Sequence, residues 1–192
     1  IQSNQNDQHG GQSIPNFDYG MAIGVAKTYS KLYTKNLAKA AEILEGKSDL
    51  EESFKEIKRK VYAESGVKPR LEASEEYCRL EAPYLAEIVG EEAVEKLQKF
   101  AVKYSEKETD RATYQAMEAL VHNLNTMHSR AGAQVPFSSI NYGTDTTPEG
   151  RMVIRNILLA EDAGLGNGET PIFPIHIFKV KEGINYNESD PN

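Results

Sequence analysis

The sequence has one cysteine, no apolar run of membrane-spanning length and no cluster of lysine and arginine. A single cysteine, Cys78, cannot form an internal disulfide or a zinc site by itself, which favours a reducing, cytoplasmic setting. A helix that crosses a bilayer needs about 20 apolar residues, so we expect no transmembrane segment, signal peptide or membrane partner. The net charge of −7 and a pI near 5.2 argue against direct nucleic-acid binding, because basic side chains supply most non-specific affinity for phosphates.

The charges that are present lie mainly in the middle of the chain. Residues 42–118 hold 19 of the 29 acidic and 13 of the 22 basic side chains, whereas the flanking segments are close to neutral. The chain begins at Ile1 rather than at methionine, and it reaches Asn192 without a closing helix. We therefore expect a fragment of a longer protein, made of two kinds of sequence joined together.

Apolar residues recur with helical spacing through the first part of the chain and predict five amphipathic helices. The first helix should begin at Asp18, a good N-cap, and end at Gly46. The second should begin with a capping box formed by Ser48 and Glu51 and end at Gly66.

The third helix is predicted to be kinked or divided at Pro83, because proline removes a backbone hydrogen bond, and to end at Gly90. A fourth is expected over Val94–Tyr104, and a fifth should start near Thr109 or Asp110. Each of the five helices should cover a neighbour with its apolar face and meet solvent or a partner with its polar face.

A different pattern follows in the last part of the chain. Gln134–Tyr142 is predicted to form a strand, followed by a helix that Thr146 or Thr147 caps and Gly164 ends. Pro171–Lys181 carries apolar residues on both faces, which is typical of a strand buried on two sides in a parallel sheet. Strand, helix and strand in this order predict a parallel β-α-β unit. Two strands do not complete a sheet, so further neighbours are expected elsewhere in a longer chain.

The glycines at Gly164, Gly166 and Gly168 do not form a phosphate-binding loop of the dinucleotide or P-loop type. Both of those motifs place their glycines after a strand and before a helix, so that helix amides face the phosphate. Here the glycines follow a helix and precede a strand, which favours a tight connection. Asn167 and Glu169 could still contact a ligand from this loop.

The histidines and Cys78 do not indicate a metal or nucleophile site, because no second ligand stands at a suitable spacing. Cys78 lies among glutamates that disfavour its thiolate, so we interpret it as an ordinary helix residue. His128 is either part of the polar mouth of a cleft or a hydrogen bonder at a helix end. The other members of that polar group are Asn125, Thr126, Ser129 and Arg130. These patterns alone predict a piece of an α/β enzyme with a helical insertion.

Three stretches together resemble the catalytic subunit of the anaerobic, class III ribonucleoside-triphosphate reductases. They are HGGQSIPNFD at His9–Asp18, NTMHSRAGAQVPFSSINYGTDTTPEGR at Asn125–Arg151, and GLGNGETPIFPIHIFKV at Gly164–Val180. The family shows a Gly-Gly-x-x-Ile stretch, then Asn-Thr-x-His leading into Gln-x-Pro-Phe, and later a Gly-Leu-Gly loop before a strand with Phe-Pro. The helices between Gly46 and Glu108 match less clearly.

The resemblance implies an α/β fold that is part of a ten-stranded barrel of the glycyl radical enzyme type, with a long helical segment between the first strands. It implies an oxidoreductase that makes deoxyribonucleotides for DNA synthesis, with a cytoplasmic homodimer and dNTP or ATP effectors as allosteric regulators. A radical S-adenosylmethionine enzyme would make the glycyl radical. The radical glycine, the radical cysteine and a C-terminal zinc site are expected outside this chain, as is any ATP cone, so no catalytic or metal residue is assigned here.

The resemblance also suggests a division of labour along the chain. Residues 1–17 would lead into the barrel, 18–128 would form a helical dimer and effector layer, and 129–192 would supply the strand-helix-strand part of the barrel. An effector-binding role is expected for Gly166, Asn167, Gly168 and Glu169. Polar groups near the ribonucleoside triphosphate are expected from His9, Gln12, His128, Gln134, Ser139 and Asn141.

Two other interpretations remain open at this point. One is another glycyl radical enzyme, of the pyruvate formate-lyase type. The other is a non-catalytic helical interaction module attached to a small α/β element. The reductant, formate or a thiol donor, and the preference for effector and base are not specified by these residues.

Overall fold

The computed structural model describes residues 8–128 and 134–192. The elements in chain order are β1 (Gln12–Ile14), α1 (Phe17–Glu45), α2 (Glu51–Ser65), α3 (Ser74–Val89), α4 (Glu91–Thr126), β2 (Ser138–Tyr142), α5 (Pro148–Ala163) and β3 (Ile175–Phe178). None of the helices in this part of the chain combines the length and the apolar character that crossing a membrane requires.

The chain divides into two compact units. The helical unit is Gly24–Arg111, and the sheet unit comprises Ile1–Ile23 with Ala112–Asn192.

The helical unit is built around aromatic and aliphatic side chains. Tyr29, Tyr33 and Leu37 of α1 are buried, and Leu97 of α4 is fully enclosed. The predicted stripe of α2 is confirmed, because its buried residues are Phe54, Ile57 and Val61. On α3 the buried residues are Tyr77, Glu81, Leu85 and Val89, so a carboxyl group lies inside this core.

Glycine ends three of these helices, as predicted. Gly46 and Gly66 have φ angles of 65° and 74°, a left-handed conformation that side chains disfavour. Gly90 ends α3, where its amide donates to the Ala86 carbonyl.

Both predicted helix starts in this part of the chain need correction. Asp18 is not an N-cap but lies inside α1, which begins at Phe17. The capping box at Ser48 and Glu51 does not form, because α2 begins after Leu50, whose side chain makes no cap hydrogen bond. Asp49 just before it has a positive φ of 60°, which turns the chain there.

The predicted break between the fourth and fifth helices is absent, because α4 continues from Glu91 to Thr126 over 36 residues. Without glycine or proline between its two apolar segments, nothing interrupts its backbone hydrogen bonds. Pro83 does not divide α3 either, which runs from Ser74 to Val89 with the proline inside it.

The sheet unit contains a three-stranded parallel sheet in the order β1-β2-β3. The β-α-β arrangement of β2, α5 and β3 is confirmed. Thr147 caps α5 as expected, its hydroxyl accepting from the Gly150 amide at 3.1 Å, and Gly164 ends the helix. The short strand β1 was not recognised from its residue pattern, because three residues are too few to show alternation.

The strand predicted over Pro171–Lys181 is shorter and more exposed than expected. Only Ile175–Phe178 form β3, at one edge of the described sheet. Ile175 and Ile177 are 52% and 42% exposed, so burial on two sides is not observed in this chain. The strand predicted at Gln134–Tyr142 is likewise reduced to Ser138–Tyr142.

Candidate functional site

One face of the small sheet carries polar groups in its centre and is open. Residues that pair in a parallel sheet point to the same face, and Ser13 pairs with Ser139 while Asn141 pairs with Ile177. The Ser13 hydroxyl donates to Oδ1 of Asn141 at 3.0 Å. Ser139 and Asn141 are half-buried on this face, as the strand alternation predicted.

The register separates Gln12 from these two residues. Gln12 pairs with Ser138, so its Cβ points to the opposite face of the sheet, together with Ile140. Ser13, which was not predicted as a site residue, is the β1 residue that contacts Asn141. Only the pairing of β1 with β2 reveals this, because paired residues such as Gln12 and Ser138 are 126 positions apart in the sequence.

Three of the predicted substrate-site residues precede strands or follow α4. His9 lies before β1, Gln134 lies before β2, and His128 lies just after α4. All three are exposed. Because β1 and β2 are parallel, His9 and Gln134 both precede the amino-terminal edge of the sheet.

Asn125 holds the segment before β3 with both ends of its side chain. Its Oδ1 accepts from the amides of Ile172 and Phe173 at 2.8 and 3.1 Å, and its Nδ2 donates to the Phe173 carbonyl at 2.6 Å. Of the predicted polar mouth, Asn125 is therefore committed to the backbone, and Thr126 donates to its own helix at the His122 carbonyl. Ser129 and Arg130 lie outside the described residues.

The glycine loop between α5 and β3 is closed by a bond between its ends. The Leu165 amide donates to the Glu169 carbonyl at 3.0 Å, and a Cβ on Gly164 would approach that same carbonyl oxygen to 2.7 Å. Gly166 and Gly168 have left-handed φ angles of 94° and 79°. The predicted effector residues Gly166, Asn167, Gly168 and Glu169 are all exposed on this tight connection.

The turn after β2 is organised by a carboxylate that the sequence analysis assigned to helix capping. Oδ2 of Asp18 accepts from the amides of Gly143, Thr144 and Asp145 at 2.9, 3.1 and 3.0 Å. Its other oxygen accepts from the Tyr19 amide at 3.0 Å, and the side chain is completely buried. This turn lies at the carboxyl end of the central strand, where ligands of α/β folds usually bind.

The last residues of the chain bind the outside of the same turn. Asn185 donates to the carbonyl of Gly143 at 2.7 Å, and Asn192 donates to the carbonyl of Asp145 at 3.0 Å. Arg151 of α5 in turn donates to Oδ1 of Asn192 at 2.6 Å.

A tyrosine, a histidine and a glutamate are linked on the opposite face of the sheet. The Tyr142 hydroxyl lies 3.0 Å from Nδ1 of His176, and Nε2 of His176 lies 3.6 Å from Oε2 of Glu161 on α5. Burial raises the pKa of the Glu161 carboxyl, while His176 lowers it. Burial, and then the charge of Glu161, raises the pKa of Tyr142. These contacts join β2, β3 and α5 within the sheet unit.

The helical unit contains a separate buried polar cluster around Glu81. Hydrogen bonds from Tyr33, Gln98 and Tyr77 reach its carboxyl group, but burial dominates and raises its pKa to about 7. Burial, followed by the charge of Glu81, also raises the pKa of the Cys78 thiol, to about 11. The prediction that Cys78 is an unreactive helix residue agrees with this direction, with burial as its main cause.

The described residues do not fit a metal site. No group of three or more His, Cys, Asp or Glu side chains in this part of the chain is arranged to hold a metal ion. No step is therefore assigned to zinc or another metal in the described residues.

Comparison with known proteins supports the resemblance found in the sequence motifs. The family model described as anaerobic ribonucleoside-triphosphate reductase matches residues 1–192. A relative of the same description from Enterobacteria phage T4 is 40% identical over 93 residues, which are 48% of this chain and 15% of that relative. Another from Escherichia coli (strain K12) is 36% identical over 90 residues, or 46% of this chain and 12% of that relative.

A third relative with this description, from Haemophilus influenzae, is 34% identical over 90 residues, covering 46% of this chain and 13% of the relative. The matched stretches thus account for 12 to 15% of the length of these three proteins. The family model, by contrast, extends over both the sheet unit and the helical unit.

Proposed function

Because this chain belongs to the anaerobic ribonucleoside-triphosphate reductase family, we propose that it supplies part of the catalytic barrel of an enzyme that reduces ribonucleoside triphosphates to deoxyribonucleoside triphosphates. The observation that carries the proposal is the family match over residues 1–192. The parallel β-α-β arrangement is compatible with part of a ten-stranded barrel. We also propose that the complete protein acts as a homodimer in the cytoplasm and that a radical S-adenosylmethionine enzyme activates it.

The open face of the sheet is the proposed contribution to the substrate cavity. Parallel sheets are normally covered on both faces, yet this face carries Ser13, Ser139 and Asn141 with exposed Ile175 and Ile177 beside them. In a closed barrel one face of every strand points inward. Hydroxyl and amide groups on that face could hydrogen-bond to ribose or base.

The other four predicted substrate-site residues lie outside the strands or on the opposite face of the sheet. His9, His128 and Gln134 are exposed and could approach a substrate when the rest of the barrel is in place. Gln12 lies on the other face of the sheet, so Ser139 and Asn141, with Ser13, form the part of the proposal that the strand register supports.

When present in the complete enzyme, a glycyl radical would supply the radical chemistry that abstracts a hydrogen atom from the ribose. No residue of this chain is assigned to hold or transmit it. The contribution of the described residues would be to bind and orient the nucleotide.

The central experiment expresses the complete reading frame anaerobically with its activating enzyme and measures deoxynucleotide formation. Asn141→Ala should lower turnover while the glycyl radical yield stays at the level of the unchanged protein. The matched control is Asn123→Ala on the exposed side of α4, in the same unit. A confirmed radical without any deoxynucleotide product would contradict the proposed activity. Loss of the radical in Asn141→Ala would instead indicate a folding role for this residue.

The glycine loop and the helical unit are proposed to serve regulation. Asn167 projects from an exposed loop whose ends are tied by a backbone bond, which is suitable for contact with a dNTP or ATP effector. Residues 24–111 form a compact helical body that could carry the proposed dimer and effector surface. Asn167→Ala should then change the response of substrate choice to effector while basal turnover persists. An unchanged effector response would remove this loop from the proposal.

A further inference from the structure

We propose that Asp18 is a positioning residue, which sets the carboxyl end of β2, and with it Asn141, for the reaction. Its role in turnover rests on the proposed function. Its role in ordering the turn at Gly143–Asp145 does not, and can be tested without any enzyme assay.

The carboxylate of Asp18 occupies amides that could otherwise bind an external anion. Consecutive backbone amides in a turn form a concave site for anions such as phosphate. Here the amides of Gly143, Thr144 and Asp145 all point to one oxygen of Asp18, at 2.9 to 3.1 Å. The turn is thus committed to a carboxylate of its own chain, although it stands where a ligand would usually bind an α/β fold.

Two chain segments are joined at both ends by these contacts. At one end the Ser13 hydroxyl donates to Asn141. At the other end Asp18 binds the turn, and the Tyr19 hydroxyl donates to the Thr144 carbonyl at 2.7 Å. The β1–α1 connection and the end of β2 therefore form a closed ring that includes Asn141. Releasing Asp18 would open this ring two residues from the amide proposed to face the substrate.

A carboxylate is required at this position, because both side-chain oxygens face backbone N–H donors and must therefore accept hydrogen bonds. One oxygen receives three backbone amides and the other receives the Tyr19 amide. An asparagine would place its NH₂ group against backbone donors in either orientation of its side chain. The side chain is completely buried, so water cannot take over these bonds without a local opening.

The first experiment measures hydrogen exchange in the complete protein by mass spectrometry. Asp18→Asn should speed exchange of the amides at residues 143–145 at least about tenfold, because these three amides donate to Asp18 and their acceptor is weakened. Asp162→Asn, at an exposed position near the end of α5, is the matched control and should leave those amides unchanged. Unchanged exchange at 143–145 in Asp18→Asn, or equal acceleration throughout the sheet unit, would overturn the proposal.

The second experiment restores the missing group chemically. Asp18→Ala removes the carboxylate but keeps the Cβ, leaving a space that formate can enter. Formate should raise the melting temperature of this variant more than the same concentration of chloride does. The unchanged protein and Asp162→Ala should respond alike to both salts. An equal formate effect in all three proteins, or no effect in Asp18→Ala, would contradict the assignment; if this variant does not fold, Asp18→Asn decides it.

The third experiment separates positioning from general destabilisation. In Asp18→Asn, the KM for the ribonucleoside triphosphate should rise about tenfold or more, since small displacements of binding groups have effects of this size. The glycyl radical yield should match that of the unchanged protein. An unchanged KM would limit Asp18 to a structural role. If the unchanged protein makes no deoxynucleotide, the proposed function fails, while the exchange and formate results still judge Asp18.

Discussion

In the helical unit, the buried side chains of Glu81 and Asn36 hydrogen-bond to other side chains, whereas in the sheet unit Asp18 and Asn125 hydrogen-bond to the backbone outside helices. In the helical unit, the carboxyl group of Glu81 accepts hydrogen bonds from Tyr33 and Gln98. The Asn36 amide donates a hydrogen bond to the Ser105 hydroxyl at 3.1 Å. In the sheet unit, Asp18 and Asn125 each bind several main-chain groups.

The difference shows which groups hold the elements of each unit in place. Side-chain contacts inside a helical core hold helices whose backbones already satisfy their own hydrogen bonds. Turns and strand ends have no such internal partners, so side chains from distant positions must supply them. The sheet unit therefore holds its loops in defined positions, which is what a binding site requires.

The largest expected effect tests whether the helical unit depends on apolar packing. Leu97→Ala should lower the free energy of unfolding by about 2–5 kcal/mol, because Leu97 is fully enclosed and its loss leaves a cavity. Leu158→Ala, at a position 46% exposed on α5, is the control and should cost much less. Hydrogen exchange of the complete protein would locate the loss. Equal effects of the two substitutions would contradict the role of Leu97 in the core of the helical unit.

The second prediction concerns the buried carboxyl of Glu81. Its folded-state pKa of about 7 lies above the usual unfolded value, so the folded state keeps the proton longer. Stability should therefore fall as the pH rises from about 4.5 to about 7, by roughly 3 kcal/mol, and level off above. Glu81→Gln should abolish most of this fall.

Urea unfolding of the complete protein at about pH 5 and about pH 8 would measure the dependence on Glu81. Glu76→Gln, an exposed substitution on the same helix, should keep the pH dependence of the unchanged protein. If Glu81→Gln loses as much stability over this range as the unchanged protein, Glu81 does not titrate as described.

The third prediction tests the tight packing around the turn of the sheet unit. A Cβ on Gly150 would lie 2.3 Å from Cγ of Asp145, a residue whose carboxylate also accepts from the Thr147 amide. Gly150→Ala should therefore destabilise the sheet unit by about 1–3 kcal/mol. Gly20→Ala on α1 has open space around its Cβ and should instead be neutral or stabilising. Exchange rates at residues 143–150 provide the measurement, and equal rates in both variants would contradict the close approach.

The smallest expected effect concerns the cap of α5. Thr147→Ala should cost about 1 kcal/mol, because the Gly150 amide loses its acceptor. Thr147→Ser should restore the bond, and Thr146→Ala on the exposed neighbour should have little effect. Faster exchange of the first α5 amides in Thr147→Ala alone is the expected pattern. The same acceleration in Thr146→Ala would mean that the cap is misassigned.

Local signals predicted the helix ends better than the helix starts. Gly46, Gly66 and Gly164 end their helices with positive φ angles. Glycine adopts such angles without strain, so this signal lies in the residue itself. The capping box at Ser48 and Glu51 satisfied a sequence rule and still failed, because the chain turns at Asp49 before α2 begins.

Strand alternation placed Ser139 and Asn141 on one face, and this prediction is confirmed. Their neighbour Ser13 could not be found in the same way, because alternation within one strand carries no information about which strand pairs with it. The prediction of a doubly buried β3 was wrong for a related reason. An apolar pattern within one strand does not show whether the described residues cover both of its faces.

The sequence by itself determined the helical and β-α-β regions, the glycine helix ends and the family motifs, because each depends on residues close together in the chain. Only the tertiary structure decided that Asp18 binds a turn 125 positions away rather than capping α1. The same holds for the register that brings Ser13 to Asn141. A carboxylate can accept a hydrogen bond from any suitably placed amide N–H group, so its partner depends on which backbone donors the fold brings within reach.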